Sequence, residues 1–94
     1  MTKADIVKEI IQNTGIEKVT VEKAIEAFME TVKESLTEGR NVYLRGFGSF
    51  IVKKRAEKTA RNISRNTIVI VPEHFIPSFK PVNSFVAQVK DKVK

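Results

Sequence analysis

The stretch KKRAEKTARNISRNTIVIVPEHFI, Lys53 to Ile76, decides how this chain is read. Between residues 53 and 65, the six cations Lys53, Lys54, Arg55, Lys58, Arg61 and Arg65 are opposed by Glu57 alone, which gives +5 of a formal net charge of +6. Arg61-Asn62-Ile63-Ser64-Arg65-Asn66 supplies turn chemistry, because asparagine tolerates left-handed backbone. Thr67-Ile68-Val69-Ile70-Val71 beyond it is strongly β-branched and predicts a returning strand. The expected element is a long β-ribbon hairpin with too few neighbours to bury it. A basic, extended segment of this kind suits wrapping around a polyanion.

On the upstream side, Val42 and Leu44 alternate with Tyr43 and Arg45, and Gly46-Phe47-Gly48 predicts a tight turn. Ser49 to Val52 then forms a returning strand that is expected to run without a break into the basic segment. On the downstream side, Pro72 and Pro77 are expected to interrupt the return strand and to block pairing at an exposed edge. Phe79, Lys80 and Pro81 lead into a last helix from about Asn83, with Phe85, Val86, Val89 and Val93 as its apolar side. The N-terminal third is helical. Thr2 to Asn13 has Thr2 as a cap, Asp5 in the first turn and Ile6, Val7, Ile10 and Ile11 at helical spacing, and Gly15 ends it. A longer helix begins between Glu17 and Thr20 and runs to about Glu38, where Gly39 stops it. Its buried stripe is Val21, Ile25, Phe28, Val32 and Leu36, widened by Ala24 and Met29.

Length and charge set further bounds. A chain of 94 residues is one small domain. If Lys53 to Ile76 projects as an arm, only about 70 residues remain for a core, and chains of that size bury little more than about 60% of their unfolded surface. Pairing with a second copy is the natural remedy. Residues 1–38 carry five Lys against eight Asp and Glu, −3, whereas residues 39–65 carry eight Lys and Arg against Glu57, +7. The helical front end is therefore not the main polyanion surface. Cysteine is absent, which excludes disulfides and thiolate metal sites and fits a reducing compartment. Lys3, Asp5, Lys8 and Glu9 interrupt every apolar run at the N-terminus, and no run is long enough to span a membrane. The expected location is the cytoplasm.

With the order helix, helix, hairpin, basic arm, helix established, the chain resembles the HU/IHF family of bacterial histone-like DNA-binding proteins over its whole length, and lies nearest HU. The residues that carry the resemblance are Gly46-Phe47-Gly48-Ser49-Phe50 at the hairpin turn, Arg61-Asn62 at the arm tip and Pro77-Ser78-Phe79-Lys80 at the return. It implies an α+β fold in an intertwined homodimer. Residues 1–38 form a helical dimer base, 39–52 and 77–82 an antiparallel sheet saddle, 53–76 a β-arm that reaches into the DNA minor groove, and 83–94 a short C-terminal helix. Phe28, Phe47, Phe50 and Phe79 fall to the dimer core. The DNA-contacting set implied is Lys3, Gly46, Lys53, Arg55, Lys58, Arg61, Asn62, Ile63, Ser64, Arg65 and Lys80. Ile63 stands where the family usually has the proline that wedges between base pairs, and Ala60 and Asn66 stand where tip glycines are usual. Isoleucine remains an intercalating type, but it keeps an N–H that needs a partner and lacks the fixed backbone angle of proline.

Other readings of the same residues are weaker. Glu22, Glu26, Glu30 and Glu34 recur every fourth residue and could imitate a metal or catalytic site, but the charge pattern is that of a solvated helix face. The six Phe residues could be stacking platforms for single strands, yet Phe28 and Phe85 lie on helical stripes and three others match core positions; Phe75 is assigned to neither group. His74, the single histidine, has no partner His or Cys and reads as a surface residue near the arm root. No nucleophile and base pair, phosphate loop or paired-carboxylate cleft is present, so no enzyme, cofactor, metal or small-molecule substrate is expected. Three functions remain open. They are sequence-tolerant binding and bending of double-stranded DNA in the bacterial nucleoid, site-specific bending of the integration-host type or structured-RNA binding, and a protein-protein module built on the acidic helical base.

Overall fold

The computed structural model describes residues 1–62 and 67–93. The described elements are α1 (Lys3–Thr14), α2 (Lys18–Thr37), β1 (Val42–Leu44), β2 (Gly48–Arg55), β3 (Lys58–Asn62), β4 (Thr67–Val71), β5 (His74–Pro81) and α3 (Asn83–Lys92). They fall into two compact units, Met1–Ser35 and Leu36–Lys94.

In the first unit, α1 begins with a reciprocal cap. The Asp5 carboxylate accepts from the Thr2 N–H at 2.9 Å and from the Thr2 hydroxyl at 3.0 Å, while the Asp5 N–H turns back to Thr2 Oγ1. The backbone N–H of Thr2, and then its hydroxyl, hold the Asp5 carboxyl below the usual carboxylate range. Gly15, at φ 73°, closes the helix by donating to the Ile11 carbonyl at 2.8 Å. Val7 of α1 and Val21 of α2 are buried, at 5% and 4% exposure. They are the only buried hydrophobic side chains among the described residues. Phe28, expected in the apolar stripe of α2, is 45% exposed, and the stripe is half-buried at Ile25, Val32 and Leu36. One chain does not bury the stripe its own periodicity encodes.

In the second unit, β1, β2 and β5 form an antiparallel sheet in the order β1-β2-β5, and β3 and β4 form a separate two-stranded ribbon. The turn between β1 and β2 is Arg45–Phe47, closed by the Phe47 N–H on the Leu44 carbonyl at 3.0 Å, and Gly48 already belongs to β2. Gly46 supplies the positive φ, 80°, that this turn requires. β1 is short, and the Asn41 side chain prolongs its edge by accepting from the Val52 N–H at 2.9 Å.

One expectation about the arm is corrected. As expected, β2 runs without a break into the basic segment, as far as Arg55, and the return strand is interrupted at Pro72; pairing stops at Ala56-Glu57 and, on the return, at Pro72-Glu73. Proline has no N–H to give to a ladder, which accounts for the break on the Pro72 side. Pro77, by contrast, does not interrupt β5, where it is the register partner of Val52. β5 is an edge strand of the sheet, a place where proline is accommodated.

Candidate nucleic-acid interface

Strand alternation sorts the three-stranded sheet into two faces. Cross-strand partners share a face and successive residues change face, and the register pairs Tyr43 with Ser49, Ser49 with Lys80, Ile51 with Ser78, Lys53 with Ile76 and Arg55 with His74. Tyr43, Ser49, Ile51, Lys53, Arg55, His74, Ile76, Ser78 and Lys80 therefore lie on one side. The opposite side receives Val42, Leu44, Gly48, Phe50, Val52, Lys54, Phe75, Pro77, Phe79 and Pro81. The two sides differ in chemistry.

The first face carries the cations Lys53, Arg55 and Lys80, all exposed, and no strand residue on it is a carboxylate. Lys54, on the other face, is engaged by Glu73 at 2.9 Å. That acid is thus drawn to the side away from the cation row. That leaves a field of one sign along the strands, the arrangement that attracts phosphate. Tyr43, 72% exposed, adds a phenol whose oxygen accepts from Asn41 Nδ2 at 3.2 Å.

The second face is aromatic. Ring centroids lie 5.1 Å apart for Phe47 and Phe79, 5.0 Å for Phe50 and Phe79, and 5.6 Å for Phe47 and Phe85, all within packing range. The structure brings together the three phenylalanines expected to form a shared core and adds Phe85 of α3. Phe47 is nevertheless 43% exposed and Phe79 38%, and Val86 and Val89 of α3 and Val93 just past its end are exposed beside them. A groove of about 460 Å³ runs along Phe79, Pro81, Phe85, Val86, Val89 and Val93. Phe75, 66% exposed, is on this aromatic side of the sheet rather than among the cations.

The remaining expected DNA-binding residues are distributed along the chain. Lys58 opens β3 opposite Val71, and the backbones of Arg61 and Asn62 pair with Ile68 and Thr67. Ile63, Ser64 and Arg65 lie outside the described residues. Gly46 sits at the exposed hairpin turn with nothing within 4 Å of where a side chain would begin. Lys3 is in the helical unit, where its Nζ meets Glu26 at 2.9 Å, and that hydrogen bond, with the Glu26 charge, raises its pKa. Both partners are more than half exposed, so phosphate can compete for the lysine. The carboxylate row of α2 is met by lysines at three of its four positions: Glu22 by Lys18, Glu26 by Lys3 and Glu30 by Lys33. No group of acidic or histidine side chains suited to a metal ion occurs among the described residues.

A family model described as bacterial DNA-binding protein matches residues 1–90. The chain belongs to this bacterial DNA-binding protein family. The integration host factor subunit beta of Marinobacter nauticus is 37% identical over 95 residues, covering all of this chain and 97% of that protein. DNA-binding protein HU of Thermus thermophilus is also 37% identical, over 94 residues, covering all of this chain and 93% of that one. Among solved structures, an Anabaena HU-DNA cocrystal structure matches with a TM-score of 0.86 at 26% identity, and each chain is covered completely. The α+β fold expected from the element order is thus the family's fold. No described helix is long and apolar enough to cross a membrane.

Apart from Lys53, Arg55 and Lys80, the members of the cation face were not recognised as such from sequence. Tyr43 and His74 enter through the register alone, since Arg55 and His74 are 19 positions apart and lie opposite each other. Alternation counted outward from Lys53 and Arg55 would have signalled Ile51 and Ser49. The break at Pro72-Glu73 hides the register of β5 from any such count.

Proposed function

We propose that this protein is an architectural double-stranded DNA-binding protein that acts as a homodimer, lays two β-arms in the minor groove, and bends and compacts DNA with little sequence specificity in the bacterial nucleoid. The observation that carries this reading is the cation row Lys53-Arg55-Lys80 on a sheet face without carboxylates, leading toward a ribbon whose strand β3 begins with Lys58. The named relatives are DNA-binding proteins, and the match to an HU-DNA cocrystal structure supports duplex DNA as the ligand. The exposed Phe28, Phe47, Phe79, Val86, Val89 and Val93 support a dimer, because a lone chain leaves this much apolar surface wet. The family is one of DNA-binding proteins, and we infer no catalytic activity.

Phosphate-driven binding has a thermodynamic signature. Log affinity should fall linearly with log salt, and Arg55→Ala or Lys80→Ala should weaken binding about equally on unrelated duplexes while flattening the slope by about 1 for each phosphate no longer neutralised. Titration of labelled duplexes across a salt series checks this. Affinity independent of salt would instead support the protein-protein reading. Identity to an integration host factor subunit as high as that to HU makes site-specific bending the second reading. It would prevail if one sequence were preferred by more than roughly a thousandfold, and duplex RNA at equal length tests the RNA alternative.

Ile63, expected at the arm tip, is proposed as the wedge. Apolar side chains inserted at a base step cost a few kcal/mol of unstacking, offset by the added protein surface that bent DNA covers. Ile63→Ala should reduce bending, read by energy transfer between labelled duplex ends, far more than it reduces salt-dependent affinity for straight duplex. Ile63→Pro should retain or strengthen bending, since it stiffens the tip. An Ile63→Ala protein that bends DNA as well as the parent would remove the wedge.

A further inference from the structure

The sole histidine is placed where its charge matters. His74 opens β5 directly opposite Arg55 and shares the face of Lys53, Arg55 and Lys80. Its side chain is exposed, and its Nδ1 lies 2.8 Å from the Pro72 carbonyl oxygen. A carbonyl oxygen only accepts, so Nδ1 carries the proton in that contact. The neutral ring has one proton, and Pro72 uses it. What the ring then offers at Nε2 is a lone pair, which repels a phosphate oxygen. Once protonated, the ring keeps the Pro72 bond and presents Nε2–H and a positive charge.

We propose that His74 is a proton-gated contact to the DNA backbone at the root of each arm, silent in the neutral ring and donating from Nε2 to a phosphate in the protonated one. This rests on the reading of the sheet face as the DNA-binding surface. The charged strand residues on its sheet face are all cationic. Strand β2 brings Arg55 opposite and Lys53 two residues further along, and β5 itself carries Lys80. Two acids flank this corner of the sheet: Glu73, held by Lys54 on the other face, and Glu57, two residues beyond Arg55 in the gap between β2 and β3. Among the described residues, no strand other than β2 pairs with β5. A phosphate lying across Arg55 and His74 favours the charged ring, so DNA binding and proton uptake are coupled. Affinity must then rise as pH falls through the range in which histidine side chains change charge.

The experiment titrates a fluorescein-labelled duplex of mixed sequence with the full-length protein and with His74→Gln and His74→Lys, across a salt series, at about pH 5.5 and about pH 8. At the higher pH the parent and His74→Gln should bind alike. At the lower pH the parent should bind more tightly by roughly fivefold per arm near 0.15 M salt, with a log-log salt slope steeper by about 0.9 per arm, the counterion-release value of one phosphate. His74→Lys should show the parent's low-pH affinity and slope at both values. Equal pH dependence in the parent and His74→Gln would overturn the gate, as would a His74→Gln protein already weaker than the parent at the higher pH. Failure of the parent to bind duplex at either pH would overturn the DNA reading itself, so the two failures are distinct. His74 is exposed, and unchanged thermal unfolding of both variants confirms that the comparison concerns binding.

Discussion

Phe47→Ala should leave little folded dimer at micromolar concentration. The ring sits at the hairpin turn and packs on Phe79 and Phe85 at centroid separations of 5.1 and 5.6 Å, and Phe79 in turn packs on Phe50 at 5.0 Å. It is the link between the sheet and α3. In one chain it is still 43% exposed, which a second copy is expected to cover. Truncating a fully buried phenylalanine costs about 3 to 5 kcal/mol. In a homodimer the substitution occurs twice, so the loss per dimer is roughly 6 to 10 kcal/mol, comparable with the whole stability of a small fold. The wild type should unfold at a temperature that rises with protein concentration, because dissociation and unfolding are linked. Sedimentation and thermal scans over a hundredfold concentration range check both statements. A folded Phe47→Ala monomer, or a wild type whose unfolding ignores concentration, would contradict the shared core.

Much of this fold was legible because local chemistry and tertiary context agree. Thr2, Asp5 and Gly15 bound the first helix where caps should, and Gly39 closes the second at φ 79°. Gly46 and Phe47 place the hairpin, and Asn83 begins the last helix. What was not legible lies in pairing and in burial. The two-residue gap at Ala56-Glu57 depends on what stands across the ladder, and Pro72-Glu73 reaches that position only through a register that no local pattern encodes. Phe28 and Phe47 were recognisable as core residues from spacing and resemblance, yet each is more than two-fifths exposed. Periodicity reports which residues need covering and is silent on whether the same chain covers them.

The candidate site divides along the same line. Lys53, Arg55 and Lys80 were found from charge and resemblance, and the register then puts them on one face. Lys54, their neighbour in the same run, goes to the other face and to Glu73. Composition counts both lysines equally; the pleat separates them. Lys3 shows a different limit, since its partner Glu26 is 23 positions away on another helix.

Gly48→Ala should be far more damaging than Gly46→Ala, although the two glycines flank the same phenylalanine. Gly46 has φ 80° and open space around it, so alanine there incurs only the left-handed penalty of about 1 to 2 kcal/mol. Gly48 is buried at the start of β2, opposite Pro81. A methyl group on it would stand 2.6 Å from the Lys80 carbonyl oxygen and 2.7 Å from the Phe79 ring. Neither obstruction yields easily. The carbonyl is backbone of the paired strand, and the ring is held between Phe47 and Phe50. Overpacking costs about 1 to 3 kcal/mol and occasionally more; two fixed obstructions place this site at the upper end, and the dimer incurs the cost twice. Relief requires β5 to move away from β2, which carries Lys80 off the cation face. Gly48→Ala should therefore lower thermal stability by ten degrees or more, at about 4 to 8 °C per kcal/mol, and should flatten the salt dependence of DNA binding in whatever folded fraction survives. Gly46→Ala, melted and titrated alongside it, should lose stability modestly and keep its slope. A Gly48→Ala protein that melts with the wild type would mean that β2 and β5 pack more loosely than the 2.6 Å approach implies.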